Sequence, residues 1–168
     1  MTKNNTNVVL GIDPGFGSLG YGVIESSKTE MRALCYGVLK TPSFQPFTER
    51  LKTVYDEIVA LIKRYQPNRM AIEKLFFEKN TKTAIDVAQA RGVVLLAAVH
   101  GHILTVDCTP LQVKLAVTGY GAADKRQVQH MITLLLKLPK PLRQDDAADA
   151  LAIAYCGISL TGSPPSRG

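Results

Sequence analysis

Cysteine is scarce in this chain, and what there is does not suit structural chemistry. Cys35, Cys108 and Cys156 are odd in number, widely separated and set among apolar residues. That arrangement supports neither a disulfide framework nor a zinc site, and the three read as reduced core residues. Long hydrophobic runs are missing too. The longest, Val93 to Val99, falls far short of the roughly 20 residues a membrane helix needs, so no membrane association is expected. Met1 to Asn7 is polar and has no apolar stretch of the kind a secretory signal requires; a cytoplasmic protein is expected. There are no internal repeats. His100, His102 and His130 are not arranged with a candidate Ser or Cys, which leaves no nucleophile system of that kind.

What is present suits a folded, basic protein. The 168 residues are enough for one sizeable core and too few for two comfortable ones. One domain over 8–160 is therefore expected, with residues 1–7 and the Gly, Ser and Pro-rich tail 161–168 disordered. A net charge of +6 favours a polyanionic partner. If several of the 14 acids gather in one metal site, the rest of the surface is more basic still, and nucleic acid becomes the leading partner.

Apolar periodicity sets out an α/β chain. Val8 to Asp13 reads as a strand, the glycine-rich segment after it as a tight turn, and the residues up to Ile24 as a returning strand. Met31 to Lys40 is a third strand with Leu34, Tyr36 and Val38 on one side, completing an antiparallel meander. Phe47, Leu51, Val54, Ile58, Leu61 and Ile62 then recur at helical spacing until Pro67, an amphipathic helix of about five turns. Arg69 to Glu73 is a short buried strand, Thr81 to Val99 a helix apolar over much of its circumference, and Ile103 to Asp107 a fifth strand. Thr109-Pro110-Leu111-Gln112 and Asp124-Lys125-Arg126-Gln127 are capping-box starts for two helices. A last helix begins near Asp145, with Asp145 the better N-cap.

The acids carry the chemistry. Asp13 and Glu73 each end a buried strand, where a carboxylate needs something to offset its desolvation. Asp146 and Asp149 are three residues apart and share one face of the last helix's first turn. Taken singly, Asp13 and the helix acids have ordinary explanations: Asp13-Pro14-Gly15 suits a turn, and acids at a helix N-terminus are favoured by its dipole. Taken together, four carboxylates would repel one another in an empty site. Hard divalent cations with oxygen ligands remove that penalty, and two of them are the usual phosphodiester-cleaving arrangement.

The chain resembles the RuvC-type Holliday-junction resolvases, endonucleases on the RNase H-like fold. The matching blocks are GIDPGFGSLGYGV (11–23), AIEKLFFEKN (71–80), AQARGVVLLAAV (88–99), QVKLAVTGYGAADKRQVQHM (112–131), LLKLP (135–139) and DDAADALAIA (145–154). Any one of these is weak, but in this order they are highly specific. The resemblance implies a five-stranded mixed sheet, three antiparallel strands and then two added ones, flanked by helices. It implies Asp13, Glu73, Asp146 and Asp149 as catalytic, metal-binding acids. Two Mg²⁺ ions would occupy the site, with Mn²⁺ able to substitute; Asp13 would bridge them, Asp149 would serve the ion that activates water, and Glu73 and Asp146 would complete the other ion's shell or orient water. The glycines after Asp13 would form a tight hairpin that leaves room for a DNA backbone.

The same resemblance extends to the partners. Lys114 and Lys125 match a basic patch beside the metals and are expected to contact phosphate, together with Arg126; Lys137, Lys140 and Arg143 suit a solvated face equally well. Of the adjacent Phe76 and Phe77, the family pattern selects Phe76 as the wedge at the crossover. The outer face of the Thr81 to Val99 helix suits an isologous homodimer, which would present two sites to a four-way junction for paired symmetric nicks. A branch-migration helicase is a further implied partner. Two other readings stay open from sequence. One is a sugar-kinase or actin-like ATPase lobe, suggested by Asp13-x-Gly15, and the other is a junction-binding module without catalysis.

Overall fold

The computed structural model describes residues 6–75, 81–142 and 144–160, the side chains of 81–83 excepted. Its elements follow the expected order: β1 (Asn7–Asp13), β2 (Ser18–Ser26), β3 (Met31–Lys40), α1 (Phe47–Tyr65), β4 (Arg69–Glu73), α2 (Thr81–His100), β5 (Leu104–Cys108), α3 (Pro110–Thr118), α4 (Lys125–Leu135) and α5 (Asp145–Leu160). The sheet order is β3-β2-β1-β4-β5. β1, β2 and β3 form the antiparallel meander, while β4 pairs parallel to β1 and β5 parallel to β4.

Strand alternation sorts the side chains into two layers, because successive residues point to opposite faces. Leu10 and Ile12 of β1, Leu19 and Val23 of β2, and Met70 and Ile72 of β4 pack with Val54, Ile58 and Leu61 of α1 and with Val94, Ala97 and Ala98 of α2. Val9, Ala71 and Cys108 point the other way, into a core shared with α3, α4 and α5. Asp13 has the parity of Val9, and Glu73 that of Ala71. Both acids therefore belong to the α5 face. In the parallel β1–β4 register Ile12 stands opposite Ile72, so Asp13 and Glu73 leave neighbouring strand ends side by side.

Both capping boxes form as the sequence indicates. Thr109 accepts from the Gln112 amide at 3.2 Å and Asp124 from the Gln127 amide at 2.9 Å; each glutamine side chain answers by accepting the cap residue's own N–H. β3 departs from the expected pattern. A bulge, marked by a register shift between Val23 and Ile24, places an extra residue in β3 and breaks its alternation. Leu34 consequently packs into the α1/α2 layer together with Cys35 and Leu39, and Tyr36 is exposed. The expected single face of Leu34, Tyr36 and Val38 does not exist.

Candidate active site

Two glycines decide where the last helix sits. A Cβ on Gly11 would lie 2.1 Å from the Ala150 carbonyl oxygen, and one on Gly20 would lie 2.0 Å from that of Asp146. Neither position can carry a side chain while α5 holds its place, so their lack of a Cβ lets a helix backbone rest directly on the sheet. α5 supplies the complementary surface with small buried residues, Ala147, Ala148, Ala150, Ala152 and Ala154. Gly20 is also the register partner of Asp13. The first turn of α5 thus descends beside the end of β1. This corrects part of the expectation that the glycines after Asp13 open space for a DNA backbone: at Gly20 and Gly22 that space is filled by α5.

That packing assembles the acids. Among the described residues, Asp13, Asp146 and Asp149 each offer a carboxylate oxygen, and these atoms lie within 4.8 Å of one another. Glu73 stands outside that trio but close enough to act on it. Burial, followed by the charges of Glu73, Asp149 and Asp146, pushes the Asp13 carboxyl up to about 7, while Lys125 pulls the other way. Burial and then the Asp149 charge raise Glu73 above the usual carboxylate range. Asp149 is raised by its own burial, which outweighs the hydrogen bond and charge of Lys125. Three carboxyls all displaced toward the neutral form describe a site short of positive charge. An all-oxygen donor set of this kind fits a hard divalent cation.

Lys125 partly supplies that charge. Its ammonium lies 3.0 Å from Asp149 and 3.4 Å from Asp145. Burial works against its charged form, but the hydrogen bond and charge of Asp149 and the charge of Asp145 outweigh it, and its pKa is raised. Asp145 is not the N-cap expected of it. It is the first residue of α5 and is exposed, and its carboxylate accepts from Gln129 at 3.0 Å and faces Lys125. Both contacts hold its pKa below the usual range, Gln129 first.

Lys114 is half-buried on α3 and Arg126 is exposed at the start of α4; among the described residues neither forms an ion pair. Phe76 lies outside the described residues, as do Phe77 and Arg143.

Two features near the acids gave no signal in the residue pattern. The turn after Asp13 is clamped by Arg50 of α1. Its guanidinium stacks 3.7 Å from the centre of the Phe16 ring, and its Nε donates to the Thr41 hydroxyl at 3.2 Å. That hydroxyl in turn donates to the Phe16 carbonyl at 2.6 Å. The second feature is Ser18, whose hydroxyl donates to an Asp146 carboxylate oxygen. Strand parity could have placed Ser18 on the α5 face, but not within reach of Asp146.

The family model for crossover junction endodeoxyribonuclease RuvC matches residues 9–157. The chain belongs to the RuvC family. A crossover junction endodeoxyribonuclease RuvC of Moorella thermoacetica is 51% identical over 153 residues, covering 91% of this chain and 92% of the relative. T. thermophilus RuvC, solved in complex with Holliday junction substrate, superposes with a TM-score of 0.85 at 36% identity, covering 89% of this chain and 92% of that one. The yeast mitochondrial Holliday junction resolvase shares the fold alone, with a TM-score of 0.64 at 13% identity over 88% of this chain and 76% of that one. The RNase H-like fold and the endodeoxyribonuclease class are established by these matches, and the acidic cluster is where a RuvC-type nuclease of this sequence can hold its metal.

Proposed function

We propose that this RuvC-family enzyme resolves four-way DNA junctions by paired symmetric nicks, in homologous recombination and DNA repair, with Asp13, Glu73, Asp146 and Asp149 as its catalytic acids. One observation carries the assignment of the site: a half-buried carboxylate at the end of the central strand, with carboxylate oxygens of Asp146 and Asp149 within 4.8 Å of its own and its pKa raised to about 7. Two Mg²⁺ ions, or Mn²⁺ in their place, would supply the charge neutralisation, the activated water and the stabilisation of the leaving oxygen.

The chain's own residues hold and orient. Asp13, fixed at the end of β1 by the ladders on either side, would serve both ions. Asp149 would hold one, and Glu73 and Asp146 would complete the other's shell. Lys125, already at the rim, would exchange its carboxylate partner for a DNA phosphate, and Lys114 and Arg126 would extend that grip; such contacts position the backbone and make binding salt-dependent. Phe76 would enter the crossover and unstack a base pair.

The reading includes a homodimer through α2. This helix buries Ala90, Val94, Ala97 and Ala98 against its own layer, yet Ile85, Leu96 and Val99 are exposed. A two-fold contact across that face would set two sites against two strands. Association with a branch-migration helicase and a cytoplasmic location, with 8–160 as the nuclease domain, complete the proposal. Among the described residues no helix is long and apolar enough to cross a membrane.

The test is to incubate the protein with a mobile four-way junction and with plain duplex, with and without Mg²⁺, and to map the nicks. Paired cuts confined to the junction and dependent on the metal are expected. Metal-independent cutting, or equal cutting of duplex, would reject the reading.

A further inference from the structure

We infer that Ser18 is a positioning residue for metal binding, and that it sets the orientation of the Asp146 carboxylate through its hydroxyl; this rests on the reading of Asp146 as a metal ligand.

β2 carries both residues that meet Asp146. Ser18 and Gly20 are two residues apart on this strand and so share its α5 face. They meet the same residue of α5 at two different points. Gly20, without a Cβ, lets the Asp146 backbone come down onto the sheet. Ser18, one alternation further on, reaches up and donates its hydroxyl to the Asp146 carboxylate. One position therefore fixes the main chain of Asp146 and the next fixes its side chain.

The neighbouring acids are held by other means. Asp13 stands on a strand paired on both sides, and Asp149 is gripped by Lys125. Asp146 has no cation within ion-pair distance among the described residues, and the Ser18 hydroxyl is the hydrogen bond that fixes its rotamer. A neutral donor suits this place better than a cation. It orients one carboxylate oxygen without cancelling the charge that a metal ion needs, and the carboxylate's remaining lone pairs stay available. Partners of this type, bonded to a ligand and not to the metal, commonly change metal affinity by about 10–100-fold when removed. Ser18 is also the first residue of β2 and pairs with Lys40, so its backbone is anchored independently of the hydroxyl.

The decisive comparison is Ser18→Thr against Ser18→Val. The two side chains have nearly the same shape and both suit a strand, but only threonine carries the hydroxyl. Mn²⁺ alone is titrated into the DNA-free protein and binding is followed by electron paramagnetic resonance. Ser18→Val and Ser18→Ala should weaken binding about tenfold, while Ser18→Thr should stay within about twofold of wild type. In an Asp146→Asn background the same Ser18→Val change should have no further effect, because the carboxylate it orients is gone. Equal binding by the Thr and Val variants would overturn the inference, and so would a Val effect that persists undiminished beside Asp146→Asn. Junction nicking by the wild-type protein in Mg²⁺ is run in parallel. Its failure would count against the proposed nuclease site, whereas nicking with no Thr/Val difference in Mn²⁺ binding would count against Ser18 alone.

Discussion

The two faces of the central sheet are packed on opposite plans. Toward α1 and α2 the strands present Leu10, Ile12, Met70 and Ile72, all fully buried, and the layer is held by the interlocking of large side chains. Toward α5 the same strands present Gly11, Gly20 and Ala71, and the helix answers with alanines. On the first face the protein gains stability from apolar area. On the second it gives up some of that area to bring a helix N-terminus, and the acids on it, close to the strand ends. Both sides of the sheet carry a buried core, but only the α5 side also carries the acids. Substitutions on the two sides should fail in different ways.

The largest effect should come from Asp13→Asn. It keeps the shape of the side chain and removes the charge, so junction nicking in Mg²⁺ should fall by roughly 10³-fold or more while junction binding in a gel-shift assay persists. Nicking at the wild-type rate would place the reaction elsewhere. The metal-free variant should at the same time be more stable than wild type at pH 8, by roughly 1–3 kcal/mol, because a buried and repelled charge has gone.

Gly20→Val tests the α5 face directly. The added Cβ would meet the Asp146 carbonyl at 2.0 Å, and this neighbour is backbone that cannot turn aside. A stability loss of roughly 2–3 kcal/mol in a denaturant melt is expected, together with loss of divalent-ion binding by calorimetry. A variant that melts lower but binds metal normally would show that α5 can shift without carrying its acids away.

The pH dependence separates the faces without mutation. Asp13 binds its proton more tightly in the folded protein, at about 7 against 3.8, than in the unfolded chain. The metal-free fold therefore loses this contribution as pH rises from about 4 through 7, and the loss is complete above that. Divalent-ion binding requires the ionised form, so the apparent affinity should climb by up to about tenfold per pH unit below 7 and then level off. A flat affinity between pH 6 and 8 would contradict the burial and crowding seen around Asp13.

The smallest effect should come from the other face. Ile72→Val removes one methylene from a fully buried site and should cost about 1 kcal/mol in a thermal or denaturant melt. Nicking per folded molecule should be unchanged. A selective loss of activity would mean that the α1/α2 layer also positions the acids.

Much of this arrangement was legible in the residue order. The apolar runs of β1 and β4 each end on an acid, which placed Asp13 and Glu73 at strand ends, and the two capping boxes marked α3 and α4 because caps are local interactions among four residues. Elsewhere local patterns misled. The bulge in β3 moved Leu34 to one layer and left Tyr36 exposed, since a single extra residue reverses every later side chain and leaves no mark in composition. Asp145 had the sequence of a cap, but Gln129 and Lys125 of α4 draw its carboxylate outward. The glycines of β2 look like turn or loop residues until the helix that fills them is known. The Arg50 clamp on Phe16 and the Ser18 bond to Asp146 join residues 34 and 128 positions apart, which no window along the chain can connect.

By itself, then, the sequence determined the order and type of the elements, the two-sided burial of the central strands and the family. These follow from periodicity and from motifs that each occupy a short stretch of chain. The resemblance gathered the acids, but the tertiary structure alone decided how Asp146 and Asp149 come to Asp13 and that Ser18 holds one of them in place. It did so because the missing side chains at Gly11 and Gly20 let α5 descend onto the sheet, and an absent atom acts only through what comes to fill its space.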